Sequence, residues 1–259
     1  MKQILFLLSL SGMLFADQTI VLTFGTTQTN SQEQISTDTL TYNKITAKSD
    51  YNTTYKTFCY TDGSGSQISA RFVNEENVNN ISTSNGSITL TDKTESLSNI
   101  FGDASINGVL TSTDSNTLQI IFKGMDSGNY TLYAFGARGN IPSPAAATYY
   151  FLTGADNIKA SVVAAANRDD YTIRTTSQYS GSPTIEAHTY NSSPNAIDKW
   201  TLMRFDFSVK EGTQQVIFNS ASNGNIAAIA LVEHSAPEPT TTTLSLFALA
   251  ALAGRRRRK

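Results

Sequence analysis

The stretch from Trp200 to Val209 constrains the fold more than any other. Met203, Phe205, Phe207 and Val209 fall on one side of it, and Arg204, Asp206 and Ser208 on the other. A period of two fits a strand with one face in a core and one in water, and no helical repeat reproduces it. Asn129–Gly136 carries the complementary message. Tyr130, Leu132 and Ala134 alternate with Thr131, Tyr133 and Phe135, so both faces are apolar enough for a strand central to a packed sheet.

Shorter runs with the same period recur along the chain. The expected strands are Thr19–Phe24, Leu40–Ala47, Lys56–Tyr60, Ile68–Val73, Ser87–Leu90, Leu118–Phe122, Ala147–Leu152, Ile158–Ala164, Tyr171–Thr175, Thr184–Tyr190, Gln214–Asn219 and Ile226–Glu233. Turn residues separate them, as in Asp62-Gly63-Ser64-Gly65 and Lys210-Glu211-Gly212; Asn85-Gly86 reads as a hairpin turn, and 74–85 as a polar loop. One helix is expected over Thr94–Ala104, where Leu97, Ile100 and Phe101 share a face and Thr94 is the cap. Many short strands with frequent turns predict an all-β fold, an antiparallel β-sandwich of two sheets packed face to face.

The ends of the chain have a different character. Lys2, the apolar run Ile4–Leu14 and the small Ala16 before Asp17 read as a secretory signal peptide over residues 1–16. At the other end Pro237-Glu238-Pro239 precedes Thr240–Thr243, an apolar run Leu244–Ala253, Gly254, and the cluster Arg255, Arg256, Arg257, Arg258 and Lys259. The prolines separate the folded body from the tail. The apolar run can enter a bilayer as a short helix, and the cations hold its end on the cytoplasmic side. At about 1.5 Å per residue that run spans only about 15 Å, and about 22 Å with its flanks. A hydrocarbon core is about 30 Å thick, so the segment suits a transient handle better than a permanent anchor. The order and position of these parts resemble the PEP-CTERM sorting signal of Gram-negative bacteria. The resemblance implies an exosortase-type transpeptidase as partner, membrane association through the C-terminal segment before processing near Pro237-Glu238-Pro239, and a destination in the envelope, on the outer surface or in the extracellular matrix.

The predicted body is one sandwich over residues 17–233, with 234–259 as the sorting tail. Between the two signals lie thirteen basic and twenty acidic residues, a net charge of −7. Such a body argues against nucleic acid and against anionic lipid as partners. Cys59 is the single cysteine. It has no disulfide partner in the chain, and between Phe58 and Tyr60 it is expected to be a buried, inert thiol.

The residues an enzyme would need are not assembled in the sequence. The two histidines are His188 and His234; His234 sits at the edge of the tail, which leaves His188 as the one candidate base, and no nucleophile elbow accompanies it. Gly63-Ser64-Gly65 reads as a turn. Gly136-Ala137-Arg138-Gly139-Asn140 comes after a strand but precedes no helix, so it is not a dinucleotide loop. Glu186, Glu211 and Asp206 could supply the carboxylates of a glycosidase, but Arg204 stands beside Asp206 as an ion-pair partner. Two histidines and one cysteine do not make a zinc site. No cofactor is expected; Asp169 and Asp170 beside Asn167 are the first candidates for structural calcium, with Asp114 and Asn116 as a second cluster, against the reading of solvated turns.

Sugar recognition needs aromatic faces and planar polar side chains, and these are present. The candidates are Trp200, Tyr149, Tyr150 and Arg138, with Tyr171, Tyr179 and Tyr190 behind them. The sequence Gly128-Asn129-Tyr130-Thr131-Leu132, then Phe135-Gly136-Ala137-Arg138, Trp200-Thr201-Leu202 and the closing run from Ile226 to Leu231 resembles extracellular jelly-roll modules of the galactose-binding-like type. Many of those bind carbohydrate. A carbohydrate- or matrix-binding module, a purely structural surface protein, and a secreted hydrolase are therefore the three functional expectations, in that order.

Overall fold

The computed structural model describes residues 17–26, 31–46, 55–74, 81–84, 95–112, 117–138, 147–175, 181–189, 199–222 and 224–235. In chain order the elements are β1 (Gln18–Phe24), β2 (Ser31–Ser36), β3 (Thr41–Thr46), β4 (Lys56–Cys59), β5 (Gly65–Asn74), β6 (Ile81–Ser84), α1 (Glu95–Phe101), β7 (Val109–Ser112), β8 (Leu118–Lys123) and β9 (Gly128–Gly136). Then come β10 (Thr148–Thr153), β11 (Asp156–Ala165), the 3-10 turn η1 (Arg168–Asp170), β12 (Tyr171–Thr175), β13 (Pro183–Ala187), β14 (Thr201–Val209), β15 (Val216–Ala221), β16 (Asn225–Ile226) and β17 (Ala228–His234).

They form two seven-stranded sheets packed face to face, as the alternation predicts. The first has the order β11-β14-β9-β17-β1-β3-β2 and the second β12-β13-β10-β15-β8-β5-β4; β16-β7-β6 form a small third sheet. The pairs β8·β15, β9·β14 and β10·β13 are each antiparallel and lie in alternating sheets. This is a long hairpin rolled up on itself, the jelly-roll way of closing a sandwich. The η1 turn carries the chain from the edge of the first sheet to the edge of the second. One pair departs from the antiparallel rule: β1 runs parallel to β3.

The period-two runs settle which side chains lie between the sheets. Met203, Phe205, Phe207 and Val209 of β14 meet Tyr130, Leu132 and Ala134 of β9 and, from the second sheet, Phe72, Ile120, Phe122 and Phe218. Phe205 and Phe218 touch edge to face, their rings 5.7 Å apart. Burying one such ring stabilises the fold by about 2–3 kcal/mol through transfer alone. β9 lies between β14 and β17; both of its faces are apolar because one packs on the second sheet and Phe135 and Tyr133 on the other lie in the cluster of α1.

A second core covers part of the outer face of the first sheet. Leu97 and Phe101 of α1, with Ala104, Ile106 and Val109 behind it, pack on Val21, Phe135, Leu202, Ala228 and Ala230. The alanines of β17 let the helix approach closely. α1 ends where Gly102 takes a left-handed φ of 54° and donates its N–H to Ser98 O at 2.9 Å. Farther on, Gly108 lies so close to β1 that a Cβ there would sit 2.4 Å from Phe24 O and Gly25 O.

Several sequence expectations are corrected. β6 falls inside the segment expected to be a polar loop. β2 is a strand despite its polar sequence, because it pairs with β3 at the sheet edge. The run Ile226–Glu233 is two strands rather than one; Ala227 donates its N–H to Phe135 O at the break. His234 and Ser235 belong to the folded body, with His234 closing β17. The hairpin at Asn85-Gly86, the strand Ser87–Leu90, the Thr94 cap, and both terminal segments lie outside the described residues.

Candidate functional site

The two poles of the sandwich differ. Strand β1 begins and β17 ends at the same pole, where Gln18 pairs with Glu233. The turns at 124–127, 154–155 and 210–215 share that pole and are short. At the opposite pole β9 ends at Gly136, β13 at Ala187 and β11 at Ala165, while β14 begins at Thr201. Several residues singled out in the sequence converge there.

Backbone hydrogen bonds tie this far pole together. Arg138 donates its N–H to Thr189 O at 2.8 Å, His188 to Asp170 O at 2.8 Å, and Ala166 to Trp200 O at 3.0 Å. Arg138, His188, Asp170 and Trp200 are each half-buried, so they form a rim with faces both in the fold and in water. The Trp200 ring leans against Phe135, centroids 5.9 Å apart. Trp200 does lie on the outer side of its strand, but that side is apolar at this end, with Leu202 fully buried, and turns wet only from Arg204 onward.

Beside the Arg138–Thr189 bond lies a buried polar network, the floor of this pole between the sheets. The Tyr150 hydroxyl is 3.1 Å from Thr189 Oγ1 and 3.2 Å from both Asn225 O and Asn225 Oδ1. Asn225 Nδ2 donates to Thr189 Oγ1 and Thr148 Oγ1, and Asn225 N–H to Ser220 Oγ. Gly136 leaves the space for the phenol; a Cβ there would sit 2.6 Å from it. A closed network of this kind fixes Thr189 and, through it, the backbone of Arg138. It also corrects one sequence expectation. Tyr150 is wholly buried and stacked on Phe218 at 6.3 Å, so it positions the rim instead of meeting a ligand. Tyr149, on the opposite face of β10, points to the outside of the second sheet beside Glu186 and Ala221, away from Trp200.

The first calcium candidates, Asp169 and Asp170, stand in the η1 turn at this pole. Asn167 caps η1 by accepting from Asp169 N–H at 3.4 Å. Among the described residues no three His, Cys, Asp or Glu side chains gather in one place. Glu186 pairs with Arg174 across β12 and β13, and Arg204 with Asp206 at 2.9 Å. In the turn Asp62–Gly65, Asp62 Oδ1 accepts from Ser64 N–H and Oγ. Cys59 is buried and its thiol is pushed up, first by burial. Asp114, Asn116, Gly139, Asn140, Tyr179, Tyr190, Pro237, Glu238, Pro239 and Arg255–Arg258 lie outside the described residues.

At the terminal pole the structure reveals an arrangement that sequence reasoning misses. Asp17 Oδ2 is 2.8 Å from His234 Nδ1, and His234 Nε2 is 2.8 Å from Thr131 Oγ1. On distances alone this is an acid, base and hydroxyl in series. Two facts remove a nucleophile from it. Thr131 is only 1% exposed, and its hydroxyl donates to Asp206 Oδ1 at 2.6 Å. Asp206 Oδ1 also accepts from Arg204 Nε at 2.9 Å. With the Thr131 proton directed at Asp206, His234 Nε2–H is the donor to Thr131. The series is a structural chain from Asp17 to Arg204 across β17, β9 and β14. Nearby, Tyr60 and Tyr130 donate to the two oxygens of Glu233, at 2.9 and 3.2 Å. Both phenols are pushed up, first by burial and then through Glu233.

The chain matches no protein-family model and no curated protein.

Proposed function

We propose that the chain is an exported protein of the bacterial envelope, directed there by its two ends, whose sandwich is a non-enzymatic binding module for carbohydrate or matrix polymer. Export and sorting rest on the signal-like N-terminus and on Pro237-Glu238-Pro239, the apolar run and Arg255–Arg258. The transpeptidase that reads such tails is the first partner, and the membrane is met through the tail before processing.

One observation supports the binding reading above the others: the backbone segments that carry Trp200, Arg138, His188 and Asp170 are tied together at one pole, beside a rigid buried polar network. An indole face, a guanidinium and a carboxylate are the groups that take up a sugar's apolar face and its hydroxyls. The rim stands on strand ends held by packing, as a preorganised site requires. The non-enzymatic reading rests on the same geometry. His188 stands at the rim with its backbone bound to Asp170, and the one histidine in series with a hydroxyl and a carboxylate, His234, serves a buried threonine.

A glycan array, with Trp200→Ala and Arg138→Ala as controls, tests the proposal. Binding to a hydroxyl-rich polymer that both variants lose supports it. Binding to no glycan, together with self-association on intact cells, favours the structural reading. Hydrolysis lost on His188→Ala establishes the enzyme.

A further inference from the structure

We infer that the sandwich stands on the membrane with the pole of Asp17 and Ser235 toward the bilayer and the pole of Arg138 and Trp200 pointing away from it. This deepens the proposed function and rests on the tail being a bilayer-entering segment.

The first link is the β1–β17 register. Adjacent antiparallel strands that pair Gln18 with Glu233 and Thr19 with Val232 send the incoming and outgoing chain through one point. The second is the contact that closes that point. Asp17 receives His234 Nδ1 at 2.8 Å and Ser235 N–H at 3.2 Å, so both segments are held to the body up to its last described residue. The predicted signal cleavage falls immediately before Asp17, and the sorting motif begins two residues after Ser235. The chain therefore enters and leaves the described body at one pole. The third link is length. Ala236 to Thr243, between the body and the apolar run, reach at most about 29 Å even fully extended. From Asn129, the partner of His234, to Arg138 along β9 is about 30 Å. A tether of that length brings the rim down to the bilayer only if every residue is stretched to its limit along the whole body, so the terminal pole is the one that rests at the membrane. A site meant for polymers outside the membrane is best placed at that end.

The test uses the full chain reconstituted into vesicles of phosphatidylcholine and phosphatidylglycerol with an acceptor dye on a fraction of the lipid. Cys59 is buried, so a donor dye added under native conditions reports a single engineered thiol. Glu211→Cys marks the terminal pole and Arg168→Cys the far pole; both native residues are exposed. The expected result is energy transfer about twofold or more stronger from position 211 than from 168, given poles about 30 Å apart. Equal or stronger transfer from 168 overturns the orientation while leaving the tail reading intact. Failure of the full chain to associate with vesicles overturns the tail reading, and the orientation with it.

Discussion

Asn43 offers the sharpest test of how the two sheets are held together at one edge. It lies on β3 in the first sheet, fully buried, and its amide reaches Cys59 on β4 in the second. Nδ2 donates to Cys59 O at 2.9 Å and to Val21 O at 3.3 Å, and Oδ1 accepts from Cys59 N–H at 3.0 Å. The β4–β5 ladder is irregular between Thr57 and Cys59, so the side chain does for Cys59 what a neighbouring strand would otherwise do. Asn43→Leu keeps the branching and the number of heavy atoms but leaves the N–H and C=O of Cys59 buried and without these bonds. At about 1–3 kcal/mol for each orphaned group the expected loss is about 4 kcal/mol. That is a large part of a typical stability of about 5–15 kcal/mol. Cys59→Ala is the control. It removes only a 3.4 Å thiol contact to Asn43 Oδ1 and some packing, at about 1–2 kcal/mol. Urea unfolding followed by fluorescence measures both, with the midpoint read at unchanged slope. A loss below about 1 kcal/mol for Asn43→Leu, or a larger loss for Cys59→Ala, refutes the account of the buried amide.

Three further outcomes rest on the same structure. The Asp17 carboxyl is held below its usual value, chiefly by the hydrogen bond from His234, so it contributes stability above its unfolded value and loses it as pH falls through the lower folded value. Asp17→Asn should therefore be less stable than the parent near neutrality, by a small margin since Asp17 is half-exposed, and the gap should close below about pH 4 in unfolding titrations. Tyr130 and Tyr60 are raised by burial and Glu233; their stabilising effect is complete below about pH 10 and fades above it, so in an alkaline absorbance titration both should ionise only as the fold opens. Gly108→Ala forces a methyl against two carbonyl oxygens and should cost about 3 kcal/mol, whereas Gly212→Ala, with a φ of 83° but open space around it, should cost about 1 kcal/mol; thermal melts give the order.

The fold is largely legible in the sequence because its signal is local. The alternation in β14 and the two apolar faces of β9 determine which residues lie between the sheets, and both are read from one strand at a time. The hidden part depends on pairing across the chain. β2, with mostly polar residues, is a strand only because β3 offers it an edge. The outer face of the first sheet is apolar near Leu202 and Trp200 only because α1 and its trailing segment lie over that face. Of the proposed ligand residues, Arg138 and Trp200 lie at one pole, whereas Tyr150 belongs to the buried network and Tyr149 to another face; adjacent positions on a strand point to opposite sides, so both tyrosines could not serve one site. His234 reads as tail in the sequence because its partners, Asp17 and Thr131, stand more than a hundred residues away. The available signal is its parity with Ile226–Glu233, one step further along the same strand.

The central claim is that a β-sandwich is carried out of the cytoplasm by two removable ends. The mass of the mature protein recovered from the envelope tests it most directly. The predicted species begins at Asp17 and ends close to Pro237-Glu238-Pro239, without the arginine cluster. A cytoplasmic protein running intact from Met1 to Lys259 would contradict it.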